Sequence, residues 1–372
     1  MLDINPDGKT MLLSLDGGGM RGVISIAMLA YLEEQTGKPA YELFNMIGGT
    51  STGAIIATGL ALGMSAKDIL RTVYRERLPG GFGKSAGSRL MYFIFGTGLK
   101  HFYPVEPFIN VLGDLAPPGL RMRDLGKLIK DEQGQVRLCQ PDESPDIDLK
   151  VLMTTKDIRT GNTYFLVNAG PGAAMFGDWT VKAALSASSV APIFFPPVIG
   201  NFVDGGVGIA GNPCLVTSVE AVAYMNIPAD QIRHISLGTG YVPTEKSEGA
   251  ASKFWLKEWL EYMLLEYVED AAYQQVKLTE MVYQDMDFRR YNPLLTPEVV
   301  RETLGIQTKL NPLNLSLDSR KLEELDLLEE IGYTYASKLD WTQPNLKPWD
   351  TLGGRQNPRS LPTVDWSHTI YE

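Results

Sequence analysis

The chain has 372 residues, 44% of them apolar and 21% charged, enough for one large domain or two ordinary ones with a sizeable core. Its formal net charge of −10 argues against a general nucleic-acid binder, which needs a basic surface to neutralise phosphates. The N-terminus lacks a signal-peptide pattern and no apolar run reaches the about 18 residues of a membrane span, so a cytoplasmic setting is expected. The two cysteines, Cys139 and Cys214, lie far apart and match no metal-ligand spacing.

Met11 to Leu15 (MLLSL) is a short apolar run that predicts a buried strand. It leads into Asp16-Gly17-Gly18-Gly19-Met20-Arg21-Gly22. Val23 to Glu34 has the apolar spacing of a helix, and Gly37 follows as a stop signal. A second strand ends near Ile47, and Gly49-Thr50-Ser51-Thr52-Gly53 joins it to a helix over Thr52–Leu62 that is apolar on nearly every side. Strand, turn, helix, strand, turn, helix predicts an α/β fold with a parallel sheet and helices on its faces.

Residues 77–105 contain no Asp or Glu, carry Arg77, Lys84, Arg89 and Lys100, and include the apolar run Leu90–Phe95. Two readings stand: a buried segment, or a mobile cover that makes peripheral contact with anionic bilayers. Further strands are predicted at Lys150–Thr155, Tyr164–Val167, Phe202–Val203 and His234–Leu237, and a helix at Val181–Ser188. From about Phe254 the pattern turns helical and strands fade, and a Pro-, Gly- and Trp-rich tail follows from Trp341.

Three stretches carry candidate chemistry. Gly49-Thr50-Ser51-Thr52-Gly53 is G-x-S-x-G, the pattern of a nucleophile elbow, in which Gly49 and Gly53 allow a strained turn that lifts a serine clear of the sheet. Its bland alternative is a tight turn with a capping serine. The glycines at 17, 18 and 19 expose successive backbone N–H groups before a helix, which suits an oxyanion hole, a phosphate cradle or a plain turn. The Walker and dinucleotide patterns are both unmatched. Asp204, before Gly205-Gly206, is either a carboxylate base for Ser51 or an ordinary Asp-Gly turn. The three histidines, His101, His234 and His368, sit in no catalytic motif.

Taken together and in this order, DGGGMRG, GTSTG and DGG resemble the patatin-like phospholipase family. TTKDIRTGNTYFLVN, ALSASSVAPIFFPPV and HISLGTG are similar to further stretches of it. The resemblance covers roughly residues 11–240, the expected catalytic core; 241–372 would be a helical part packed on the same domain. It implies a three-layer α/β fold and a lipid acyl hydrolase acting through a Ser51–Asp204 dyad. It also implies an oxyanion hole from the amides of Gly17, Gly18 and Gly19 with Arg21 in support, and no metal or cofactor. The substrate would be a phospholipid or another acyl lipid. Two alternatives remain: an acyltransferase using the same serine, and a phosphate-binding module in which Ser51 is only a cap.

Overall fold

The computed structural model describes residues 1–82, 101–192, 194–243 and 250–343. The apolar run Thr10–Leu15 forms β1, with every residue after Thr10 buried. Such two-sided burial is the signature of a strand inside a parallel sheet. β2 is Met46–Gly49, all four residues buried. β3 (Lys127–Lys130), β4 (Val136–Leu138) and β5 (Ile147–Asp148) make a small separate antiparallel sheet. The main sheet adds β6 (Lys150–Asp157), β7 (Thr163–Val167), β8 (Phe202–Asp204), β9 (Ile232–Leu237) and β10 (Asp287–Tyr291). Its order is β10-β9-β1-β2-β6-β7, with β8 also paired to β6. The first five strands in that order run parallel, whereas β7 and β8 run antiparallel to β6.

Among the described residues the longer helices include α1 (Gly22–Thr36), α2 (Thr52–Ala61), α3 (Val105–Gly113), α4 (Val181–Ser189), α5 (Cys214–Val219), α6 (Leu256–Val282) and α7 (Leu322–Ser337). Alternate strand residues point to opposite faces. Leu13, Leu15, Ile47, Val151 and Met153 join a core with residues of α1, α2, α4 and α7. Leu12, Met46 and Leu152 face the other way, toward Ala221 and Val216 of the α5 segment. The result is the three-layer α/β arrangement, with a mostly parallel sheet in the middle.

The C-terminal region departs from the reading that strands end before Phe254. Asp287–Tyr291 is the edge strand β10, paired with β9 from Asp287↔Arg233 to Tyr291↔Leu237. Its sequence, DFRRY, hides a strand because three of its five residues are charged. Those charges are paired: Arg289 with Asp287 at 2.7 Å, Arg233 of β9 with Asp287 at 2.6 Å, and Arg290 with Asp16. Trp341, where the tail begins, is 2% exposed and packs its ring on Tyr291. Of the basic stretch 77–105, residues 83–100, which include Lys84, Arg89, Lys100 and Leu90–Phe95, lie outside the described residues. Its flanks are interior: Phe82 and Tyr103 pack on each other and on Phe195, which stacks on Phe108 at 4.4 Å.

The C-terminal helix packs closely on the N-terminal one. A Cβ on Gly332 of α7 would come within 2.4 Å of the Ile24 carbonyl and 2.9 Å of Ala27 Cβ in α1. Gly332→Leu should therefore force the helices apart and lower stability by about 1–3 kcal/mol, read as an earlier midpoint in urea denaturation. An unchanged midpoint would show that the two helices do not meet there.

Candidate active site

Ser51 stands between β2 and α2 with φ 56 and ψ −120. A non-glycine residue at such angles is strained by on the order of 1–3 kcal/mol and persists only where its surroundings impose it. The surroundings are specific. Thr50 donates its N–H to the Leu15 carbonyl at 3.2 Å, and Gly53 donates to the Thr50 carbonyl at 2.8 Å. A Cβ on Gly49 would lie 2.4 Å from the Gly53 carbonyl, and one on Gly53 would lie 2.1 Å from the Leu15 oxygen. Both flanking positions of G-x-S-x-G thus admit glycine alone. The Ser51 peptide is held from the α4 side as well: its N–H donates to Ser188 Oγ and its carbonyl accepts from Ser189 Oγ, each at 3.3 Å.

Asp204 reaches Ser51 through sheet register. Thr155 and Lys156 of β6 pair with β7 on one edge and with Asp204 and Val203 of β8 on the other. β2 uses that second edge as far as Gly49↔Met153 and then leaves the sheet. β8 therefore enters the slot that β2 vacates, and Asp204 arrives just beyond the turn that carries Ser51. The Ser51 side chain lies close enough to the Asp204 carboxylate to lower its pKa, and the carboxylate accepts a hydrogen bond from the Gly206 N–H at 2.8 Å. It is 4% exposed. Burial pushes its pKa up to about 6, against the lowering effect of those two neighbours. The loop after it is tied to the elbow: Thr50 Oγ1 donates to the Ala210 carbonyl at 2.6 Å and lies 2.7 Å from Thr154 Oγ1.

The glycine loop lies against the same serine. A Cβ on Gly17 would sit 3.4 Å from Ser51 Cβ. The Gly17 N–H, however, donates to the Gly211 carbonyl at 2.8 Å. It is thereby committed, which narrows the expectation of three amide donors to two. The N–H groups of Gly18 and Gly19 have no acceptor among the described residues. Gly19 has φ 56, and a Cβ there would meet the Leu317 oxygen at 2.1 Å; one on Gly18 would meet Thr239 Oγ1 at 2.1 Å. Arg21 is buried, with Glu269 of α6 at 3.8 Å. Asp16, at the loop's start, forms a two-pronged pair with Arg290 of β10, which also donates to Ser236 Oγ at 3.0 Å.

Neither described histidine is near this constellation's hydrogen bonds. His234 is buried in mid-strand, level with Leu12 of β1, bonded to Ser218 Oγ at 2.9 Å, and pushed down to about 3 by burial. His101 adjoins residues outside the description, and His368 lies among them. Among the described residues no group of three or more His, Cys, Asp or Glu gathers as metal ligands would. Sequence reasoning missed Ser188, Ser189, Thr154, Thr239 and Arg290. Their partners are 54 to 274 residues distant in sequence for the bonds to Ser236 and Asp16 and 137 for Ser188 to Ser51, so no local spacing marks them.

A serine on a strained strand-to-helix turn, beside a buried carboxylate and facing a glycine loop, is how a serine esterase is built. Comparison with known proteins narrows the class. Residues 13–230 match the patatin-like phospholipase family, and the chain belongs to it. It is 26% identical over 312 residues to a cUMP-AMP-activated phospholipase of Escherichia coli, covering 82% of this chain and 89% of that one. It is 32% identical over 249 residues to a cGAMP-activated phospholipase of Vibrio cholerae, covering 62% and 64%. With the human calcium-independent phospholipase A2-gamma it shares 26% identity over 347 residues, 88% of this chain but 38% of that protein. The chain thus spans nearly all of one of these relatives and under two thirds of the other two. Its activity is that of a lipid acyl hydrolase.

The Asp16–Arg290 pair gives a stability test. Arg290→Met leaves a buried carboxylate without its guanidinium, which should cost about 3–5 kcal/mol. Asp16→Leu combined with Arg290→Met should recover most of that loss in urea denaturation. A double variant as unstable as the single one would show that Arg290 acts through other contacts.

Proposed function

We propose that the chain cleaves ester-linked fatty acids from phospholipids through a Ser51–Asp204 dyad and an acyl-enzyme. The observation that carries this reading is the placing of the Ser51 side chain beside a buried Asp204 whose pKa is raised to about 6. Such a carboxylate is ionised at neutral pH yet holds a proton more readily than an exposed one, which suits a general base. Ser51 Oγ attacks the ester carbonyl carbon as its proton passes to Asp204. The developing oxyanion is met by the N–H groups of Gly18 and Gly19 and by the N-terminal end of α2. Collapse expels the glycerol oxygen, which takes the proton from Asp204. Water then attacks the acyl-serine, gives a proton to Asp204, and the fatty acid leaves as Ser51 is reprotonated. Arg21 holds the turn that presents the two amides.

Ser51→Ala and Asp204→Asn should each remove nearly all turnover, roughly ten-thousandfold or more, because groups that act as a unit fail together. Fluorophosphonate labelling should vanish in Ser51→Ala. His101→Ala and His234→Ala should keep activity where they fold; loss of turnover in a folded histidine variant would remove Asp204 from the role of base. An acceptor alcohol added to the assay separates hydrolysis from acyl transfer.

The raised pKa also fixes the sign of two pH effects. The base must be ionised, so kcat/KM should rise with pH through about 6 and then level off. A folded pKa above the unfolded value of about 3.9 means that folding favours the protonated form. Asp204 should therefore cost stability progressively between about pH 4 and pH 6, reaching on the order of 2–3 kcal/mol above that range. Asp204→Asn should recover part of that cost at neutral pH while abolishing activity. A less stable Asp204→Asn protein would contradict the raised pKa.

A further inference from the structure

The hairpin that delivers Asp204 carries a strained isoleucine at its tip. Val198 and Phe202 exchange backbone hydrogen bonds of 2.9 Å, closing a loop of Ile199, Gly200 and Asn201. Ile199 has φ 51 and Gly200 φ 85. The tip thus holds two successive residues with left-handed φ, a conformation that glycine and asparagine adopt most readily. A β-branched residue at the first position is strained, and burial does not offset it, because Ile199 is 51% exposed. Folding alone gives no reason for isoleucine here.

Two more exposed isoleucines stand beside it. Ile158, 51% exposed, follows the end of β6, and its N–H donates to the Asn201 carbonyl at 3.1 Å. Ile209, 53% exposed, lies in the loop after Asp204. Its neighbour Gly208 is close to Lys156: a Cβ there would lie 3.8 Å from Lys156 Nζ. Charge follows the same pattern. Residues 156–162 and 196–211 contain Lys156, Asp157, Arg159 and Asp204 as their charged members. Both carboxylates are buried. The Arg159 side chain is 69% exposed even while it pairs with Asp157 at 3.5 Å, and Lys156 Nζ reaches the exposed Gly161 carbonyl at 3.0 Å. These two stretches thus show three half-exposed isoleucines, two cations and no exposed carboxylate, on a chain of net charge −10. They sit at the carboxyl end of β6, the sheet edge that holds Ser51 and Asp204.

We propose that this rim is the surface by which the protein docks on anionic phospholipid bilayers. The three isoleucines enter the boundary of the acyl region, and Lys156 and Arg159 meet the phosphate layer. The inference rests on the reading of Ser51 as a lipid-ester nucleophile, since docking here sets that serine against its substrate. Aliphatic side chains supply affinity for any bilayer, and cations add affinity for anionic ones alone.

Binding is measured by co-sedimentation of the Ser51→Ala protein with vesicles of phosphatidylcholine, or of phosphatidylcholine mixed with phosphatidylglycerol. The mixed vesicles should be bound about tenfold more tightly. Adding Lys156→Ala and Arg159→Ala should remove that preference and leave binding to phosphatidylcholine nearly unchanged. Adding Ile158→Ser and Ile199→Asn should weaken binding to both by roughly tenfold. In the active protein, the Ile158→Ser/Ile199→Asn variant should keep its hydrolysis of a soluble short-chain ester and lose hydrolysis of vesicles. Ile199→Asn alone separates docking from folding: it should raise Tm by roughly 1–3 °C while weakening vesicle binding. The proposal is overturned if the Ser51→Ala protein does not sediment with mixed vesicles, if neither double variant changes binding, or if Ile199→Asn lowers Tm. It is overturned too if soluble-ester and vesicle hydrolysis fall together. Should the parent protein cleave no ester while binding follows the expected pattern, docking stands and the catalytic reading falls.

Discussion

The carbonyl oxygen of Leu15 is the point on which the site turns. It closes β1, accepts the Thr50 N–H at 3.2 Å, and lies where any side chain on Gly53 would have to pass. β2 is thereby held to β1 up to its last residue and made to leave the sheet at once. The strain at Ser51 follows from that constraint. Hydrogen bonds from the Ser188 and Ser189 side and the Thr50–Ala210 bond keep the turn from relaxing. The serine's exposure at the sheet edge is thus a property of two adjacent strands and the close approach of their ends, and a flexible loop could not hold it.

Two buried carboxylates at the same edge are treated in opposite ways. Asp16 faces a guanidinium, that of Arg290, and anchors the glycine loop to β10. Asp204 has a hydrogen bond from Gly206, the Ser51 side chain beside it and a pKa raised by desolvation. Burial raises the pKa of both carboxylates, but at Asp16 the charge of the Arg290 guanidinium opposes that rise, whereas at Asp204 only neutral donors oppose it. The same edge therefore holds one carboxylate in an ion pair and one among neutral donors. The difference lies in a cation supplied from a strand almost three hundred residues further along the chain.

Much of the fold was legible where local pattern and final position agree. The apolar runs of β1, β6 and β9, and the all-round apolar α2, could be read because burial on both sides demands such composition. The glycines of the elbow were legible because backbone contact at about 2 Å excludes every other residue. What stayed hidden depends on partners remote in sequence. DFRRY became a strand because Asp287 and Asp16 neutralise its arginines. The commitment of the Gly17 N–H to Gly211 joins loops nearly two hundred residues apart. The hydroxyls of Ser188 and Ser189 sit in a run of small residues that reads equally well as helix packing.

β8 occupies the edge of β6 that β2 gives up, so one strand serves as a ruler for two others. The spacing between Ser51 and Asp204 is a count of residues along β6, from Met153 to Thr155, and no loop length enters it. Chain inserted or deleted between α2 and β6 leaves that count untouched, and so does change between Asp204 and β9. The first interval includes the small three-stranded sheet, whose strands pair only with one another. In a molecule made this way the separation of Ser51 from Asp204 belongs to the sheet and not to the loops that join its strands.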